Sequence, residues 1–201
     1  MTQQPADGAV VWLTGLPSAG KTTLATALAA ALRQCGRRVV VLDGDAVRAG
    51  LSADLGFAPA DRAAHAQRVA FVAARVEEAG GVAVVGLISP YASDRAAVRA
   101  QIQRFLLVHV ATPLAVCEAR DVKGLYARAR RGELAAFTGV SAPYEAPDDA
   151  EVVVETSGRT VDACVADIVD ALVRHRWHRA AASDTVAAHS ASADAAGSDR
   201  R

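Results

Sequence analysis

Short, nearly unbroken runs of Val, Leu and Ile recur along the chain, separated by Ala- and Leu-rich stretches whose apolar positions return at helical spacing. A strand exposed on one face alternates apolar with polar side chains, whereas a strand covered on both faces is apolar throughout. The runs therefore predict buried strands at Val10 to Thr14, Arg38 to Leu42, Val82 to Ile88, Phe105 to Val110 and Val152 to Glu155. Helices are expected between them at Lys21 to Cys35, Ala60 to Glu78, Ser93 to Arg104, Leu114 to Asp121 and Val161 to Arg174, with Gly36 and the Gly80-Gly81 pair as C-terminal stops. This alternation is that of an α/β fold: a parallel five-stranded sheet with helices on both faces. In the last helix Val161, Val165, Ile168, Val169 and Leu172 share the core-facing stripe.

Arg179 to Arg201 is built from Ala, Ser, Asp and Gly without apolar period, and too little surface is available there to offset the entropy of ordering. A folded domain over residues 1–178 with a disordered tail at 179–201 is expected, an Ala-rich helix being the alternative for the tail.

Composition narrows the function classes. Lys+Arg and Asp+Glu both number 22, so the zero formal charge argues against nucleic-acid binding through a bulk positive field. The run Arg174-His175-Arg176-Trp177-His178-Arg179 reads as a solvated helix end, with Trp177 capping the core or meeting a partner subunit. No apolar run approaches the roughly 18 residues of a membrane span, and the N-terminus has no secretory pattern. Cys35, Cys117 and Cys164 are an odd set without metal spacing, expected as reduced thiols of a cytoplasmic protein. Cys35 and Cys117 fall in helical patterns and read as small buried residues.

The strongest motif is Gly15-Leu16-Pro17-Ser18-Ala19-Gly20-Lys21-Thr22, a full match to G-x-x-x-x-G-K-[ST] directly after a strand and before a helix. Gly15 and Gly20 let successive N–H groups turn toward phosphate oxygens, and the following helix adds its positive N-terminal end. Lys21 would reach the β- and γ-phosphates of ATP, the Thr22 hydroxyl would ligate Mg²⁺, and Thr23 belongs to the same cradle. The second strand ends in Leu42-Asp43-Gly44-Asp45-Ala46-Val47-Arg48, at the edge where open α/β sheets place ligands. Two carboxylates one Gly apart can serve a metal and a substrate hydroxyl, with Arg48 gripping an anion; an ordinary strand-to-helix turn with an Asp cap is the other reading. The third strand ends in Ser89-Pro90-Tyr91 without an acidic residue, which argues against motor-type and GTPase-type ATPases and for a small-molecule kinase.

Together with LDGDAVRAGLSADLGF (Leu42 to Phe57), Asp61-Arg62, LISPYASDR (Leu87 to Arg95) and the long stretch CEARDVKGLYARARRGELAAFTGVSAPYEAP (Cys117 to Pro147), these segments resemble the adenylyl-sulfate kinases, P-loop NTPase-fold enzymes. The resemblance implies transfer of the ATP γ-phosphoryl group to the 3′-hydroxyl of adenylyl sulfate, with a paralogue acting on another small acceptor as the alternative. It implies Asp45 beside that hydroxyl as base, with Asp43 close by; Arg48 and Arg62 on the phosphosulfate; and Phe57 and Phe137 on either side of the adenine. It further implies Lys123 in a lid over about 121–147, next to Arg128, Arg130 and Arg131, and Ile88 and Ser89 in the acceptor wall. Ser89 matches the serine of the family's I-S-P signature, historically assigned as phosphorylated, although direct in-line transfer needs no phosphoserine. Members often form dimers, so a homodimer is among the states implied.

The departures lie on the acceptor side. The usual DGDNVRHGL reads DGDAVRAGL, with Ala46 and Ala49; His65 stands where an acceptor-binding Asn is expected, Gln67 replaces an Arg, and Ala92 falls where an Arg often follows S-P-[FY]. His65 either donates in place of the missing amide, marks a different acceptor, or is a simple surface residue.

Overall fold

The computed structural model describes residues 8–190, and side chains for residues 8–175. Five parallel strands, β1 (Ala9–Thr14), β2 (Val39–Asp43), β3 (Val82–Gly86), β4 (Phe105–Val110) and β5 (Val152–Val154), form one sheet in the order β2-β3-β1-β4-β5. The helices are α1 (Lys21–Gln34), α2 (Gly44–Gly50), α3 (Pro59–Glu78), α4 (Ala92–Arg99), α5 (Leu114–Arg120), α6 (Leu125–Arg130) and α7 (Val161–Ser190).

β1 is central, and every one of its residues is buried. The two-residue period of a strand divides them: Val11 and Leu13 join Leu24, Leu28, Ile168 and Leu172 of α1 and α7, while Val10 and Trp12 join Val69, Ala73 and Val98 of α3 and α4. Two apolar layers thus clamp the sheet, and all five carboxyl ends emerge on the same edge. Among the described residues no helix is long and apolar enough to cross a membrane.

All five expected strands and all five expected helices are present, with bounds shifted by a few residues. Four findings depart from the sequence reading. β2 is an edge strand, with Val40 42% exposed, although its run of valines predicts burial on both faces; strand order, which local pattern does not encode, decides this. α6 forms where no helix is predicted, and α2 where only a strand-to-helix turn with an Asp cap is one of two readings. Cys35 is exposed, because it follows the last turn of α1 instead of facing the core, whereas Cys117 and Cys164 are buried thiols. Finally, α7 crosses the boundary expected after residue 178 and runs to Ser190, consistent with the high helix propensity of Ala once a packed helix supplies the nucleus. Residues 191–201 of the expected tail lie outside the described residues, and the Trp177 side chain lies outside the described side chains.

Candidate active site

The Gly15–Thr22 loop joins buried β1 to the start of α1. Gly15 passes so close to β4 that a Cβ there would lie 2.6 Å from the Val110 carbonyl oxygen, and Gly20 takes a left-handed φ of 105°. The loop's outer turn is pinned through Ala19, whose carbonyl accepts from Thr112 Oγ1 at 2.9 Å, Thr156 Oγ1 at 3.0 Å and Arg120 at 3.4 Å. Tyr126 of α6 donates to the Pro17 carbonyl at 3.1 Å. Lys21 Nζ folds back onto the loop and donates to the Gly15 and Leu16 carbonyls at 2.9 and 2.7 Å. Burial lowers its pKa to about 8, against the opposing pull of Cys117, Asp45 and Asp43.

Asp43 forms the helix cap of the strand-to-helix turn and also reaches the phosphate loop. Its Oδ1 caps α2, accepting from the Asp45 and Ala46 amides at 3.1 and 3.3 Å, while Oδ2 accepts from Thr22 Oγ1 at 2.9 Å. The carboxylate therefore fixes α2 against the phosphate loop. The exposed Asp45 pairs with Lys123 from the segment before α6. That segment is itself ordered by Asp121, whose carboxylate accepts from the Tyr126 and Ala127 amides and so caps α6. Thr22, Asp43, Asp45, Lys21 and Lys123 thus gather at the carboxyl edge of the sheet.

The expected acceptor residues form a second group. Phe57 is 62% exposed, with the Arg48 guanidinium 4.8 Å from its ring centroid and that of Arg62 at 6.0 Å. Arg48 also donates to the Gly56 carbonyl. Arg62 spans two segments, donating to the Phe57 carbonyl at 2.9 Å on one side and to Thr138 Oγ1 and the Ala136 carbonyl at 3.2 and 3.0 Å on the other. Phe137 lies between Ala136 and Thr138 in the chain, and its ring partner is Tyr126, edge-on at 5.1 Å. A cavity of about 550 Å³ opens next to this segment, lined by Leu16, Leu114, Val140, Pro143 and Tyr144 among others; Lys21 and Asp45 are not among its lining residues.

Ser89 is buried: it is 5% exposed, and its hydroxyl accepts from Trp12 Nε1 at 2.9 Å. Its backbone, at a left-handed φ of 42°, gives its carbonyl to Arg95 Nη1 at 2.8 Å, so the residue is a structural node, and its neighbour Ile88 is partly exposed. His65 is not the simple surface residue of one reading: it is 3% exposed, and its Nδ1 is 3.0 Å from the equally buried Ser52 hydroxyl. Arg128 and Arg131 pair with Glu133, and Arg130 pairs with Glu118, so each arginine of this basic run has a local acid as partner. Thr112, Arg120, Tyr126 and Asp121 were missed as site residues. The first three act on backbone carbonyls about a hundred positions away, and Asp121 on amides of the next helix; single-residue identities carry no signal of either.

Residues 7–155 match the family model described as adenylylsulphate kinase. An adenylyl-sulfate kinase of Paraburkholderia xenovorans (strain LB400) is 52% identical over 171 residues, covering 85% of this chain and 93% of the relative. The solved structure of the Mycobacterium tuberculosis APS kinase in complex with AMPPNP and APS superposes with a TM-score of 0.81 at 40% identity, covering 84% of this chain and 99% of that one. The hexameric APS kinase from Thiobacillus denitrificans gives a TM-score of 0.65 at 34% identity, covering 85% of this chain and 29% of that one. With a family model spanning most of its length and a relative at this identity over nearly the whole folded part, the chain belongs to the adenylylsulphate kinase family.

Proposed function

We propose that this protein transfers the γ-phosphoryl group of ATP to the 3′-hydroxyl of adenylyl sulfate, giving 3′-phosphoadenylyl sulfate and ADP. The observation that carries the reading is the convergence, at one edge of the sheet, of the phosphate loop with Lys21 and the Asp43–Asp45 turn, in a chain of this family.

The loop amides and the α1 N-terminus bind the triphosphate, and Lys21, released from the Gly15 and Leu16 carbonyls, follows the charge that develops on the transferred group. Asp45 accepts the proton of the attacking hydroxyl. Lys123, already paired with Asp45, moves with the lid and shields the phosphates from water, which would otherwise hydrolyse ATP. Phe57 and Phe137 flank the adenine of the acceptor, and Arg48 and Arg62 face its anionic end. Ile88 forms part of the wall.

The donor set fits a hard divalent cation, since Thr22 Oγ1 and an Asp43 carboxylate oxygen are adjacent and both are oxygen ligands. Thr22, with Asp43 beside it, would hold Mg²⁺, which neutralises phosphate charge when bound. A homodimer or larger assembly is the expected solution state, the Thiobacillus relative being a hexamer.

The test is ADP release with adenylyl sulfate, adenosine 5′-phosphate, cytidine 5′-phosphate or no acceptor. Stimulation by adenylyl sulfate alone is expected; stimulation by another acceptor, with adenylyl sulfate no better than the blank, replaces this reading with the paralogue.

A further inference from the structure

Helix α2 carries Asp45 and Arg48, yet none of its residues Gly44–Gly50 is buried; only Val47 touches the margin of the core. A helix of seven residues that hides so little apolar surface is held in place by its ends. The Asp43 cap holds the first end. The second is held by Ser52, which is 0% exposed and whose amide donates to the Val47 carbonyl at 3.3 Å. Beneath Ser52 lies His65, on the core-facing side of the 20-residue helix α3, next to Ala66 and Val69. Its Nδ1 meets the Ser52 hydroxyl at 3.0 Å. One side chain on a long, well-packed helix therefore touches the segment bearing Asp45 at its carboxyl end, where the Asp43 cap does not reach.

We propose that His65 is a positioning residue for the acceptor side: through Ser52 it sets the carboxyl end of α2, and with it Asp45 and Arg48, relative to the phosphate loop. The chemistry suits the task. A neutral imidazole has one donor and one acceptor, and a serine hydroxyl can complement either. Burial holds the ring neutral, with a pKa near 4; Arg48 and Arg68 push the same way, and the Gly44 backbone and Asp45 oppose them. An unmet partner left in this dry site would cost α2 its anchor.

Two readouts test the inference, and the first does not depend on the reaction. In the full-length protein, His65→Ala and Ser52→Ala should each speed amide exchange across residues 44–52 by at least about tenfold, with α1 amides changed less than about twofold. In the second, kcat/KM for adenylyl sulfate should fall by at least about tenfold while the dissociation constant of a non-hydrolysable ATP analogue stays within about twofold. The double variant should be no worse than the poorer single one. His65→Asn, which keeps a polar atom near the Nδ1 position, should recover most of both losses. If His65→Ala does not fold, Ser52→Ala, which removes one oxygen, carries both measurements.

Unchanged exchange over 44–52, or equal losses of ATP and acceptor binding, overturns the proposal. The kinetic readout rests on the function proposed above. If the wild-type protein transfers nothing to adenylyl sulfate but the exchange pattern is as expected, the activity reading fails and the anchor stands.

Discussion

Lys123 and Asp45, 78 positions apart in the chain, form an ion pair that joins the segment before α6 to the first turn of α2. Both side chains are largely in water, 61% and 75% exposed, and pairs of this kind contribute only about 0–1 kcal/mol. The contact is thus easily exchanged for contacts to substrate. Lys123→Ala is expected to leave the melting temperature within about 2 °C while lowering kcat by at least about tenfold. A drop in stability matching the drop in rate would make Lys123 a structural residue.

Lys21→Ala should reduce kcat/KM by a factor of at least about 100 to 1,000, since the developing phosphate charge loses its nearest cation. With its pKa lowered to about 8, the free enzyme's Lys21 is charged below that pH and progressively neutral above it. Affinity for a non-hydrolysable ATP analogue should therefore weaken between pH 7.5 and 9 in the wild type, as titration calorimetry would read directly; a flat profile would show that the amine stays charged.

His65 makes acid stability diagnostic. Its folded-state pKa is near 4 and its ordinary value 6.5, so between these limits the unfolded chain binds the extra proton and the folded one does not. Stability should be fully present above pH 6.5 and fall as pH drops toward 4, by roughly 3 kcal/mol in all from this group. Urea melts of wild type and His65→Asn at pH 7 and pH 4.5 would show the difference shrinking as the imidazole is removed.

Ser89→Ala leaves the Trp12 indole N–H buried without its acceptor, at a cost of about 1–3 kcal/mol. No stoichiometric protein-bound phosphate should appear on intact mass after incubation of wild type with ATP. A stable adduct on Ser89 would restore the phosphoserine role.

Gly15→Ala should prevent folding or ATP binding outright, because the new methyl would overlap the Val110 carbonyl, which belongs to the buried sheet and cannot retreat. Gly36→Ala, where nothing lies within 4 Å, sets the comparison: its cost comes only from the left-handed backbone.

The parts legible in the sequence are those whose cause is local. VVWLT followed by GLPSAGKT announces a buried strand, a phosphate turn and a helix start within one short stretch, and each forms as expected. α2 is legible only as far as its Asp cap, because GDAVRAG has a glycine at each end and no apolar stripe; it is held as a helix by Asp43, Ser52 and His65, which come from three separate segments. The same holds for Arg62, legible as a cation but not as a bridge between Phe57 and Ala136, and for β2, whose valines do not disclose that it lies at the sheet's edge.

Thr156 and Ala19 are separated by 137 positions, yet the hydroxyl of one steadies the carbonyl of the other. Because Thr156 lies just past the end of β5, the far edge of the sheet is tied to the phosphate turn beside its centre, and loosening that edge loosens one of the three supports of the Ala19 carbonyl.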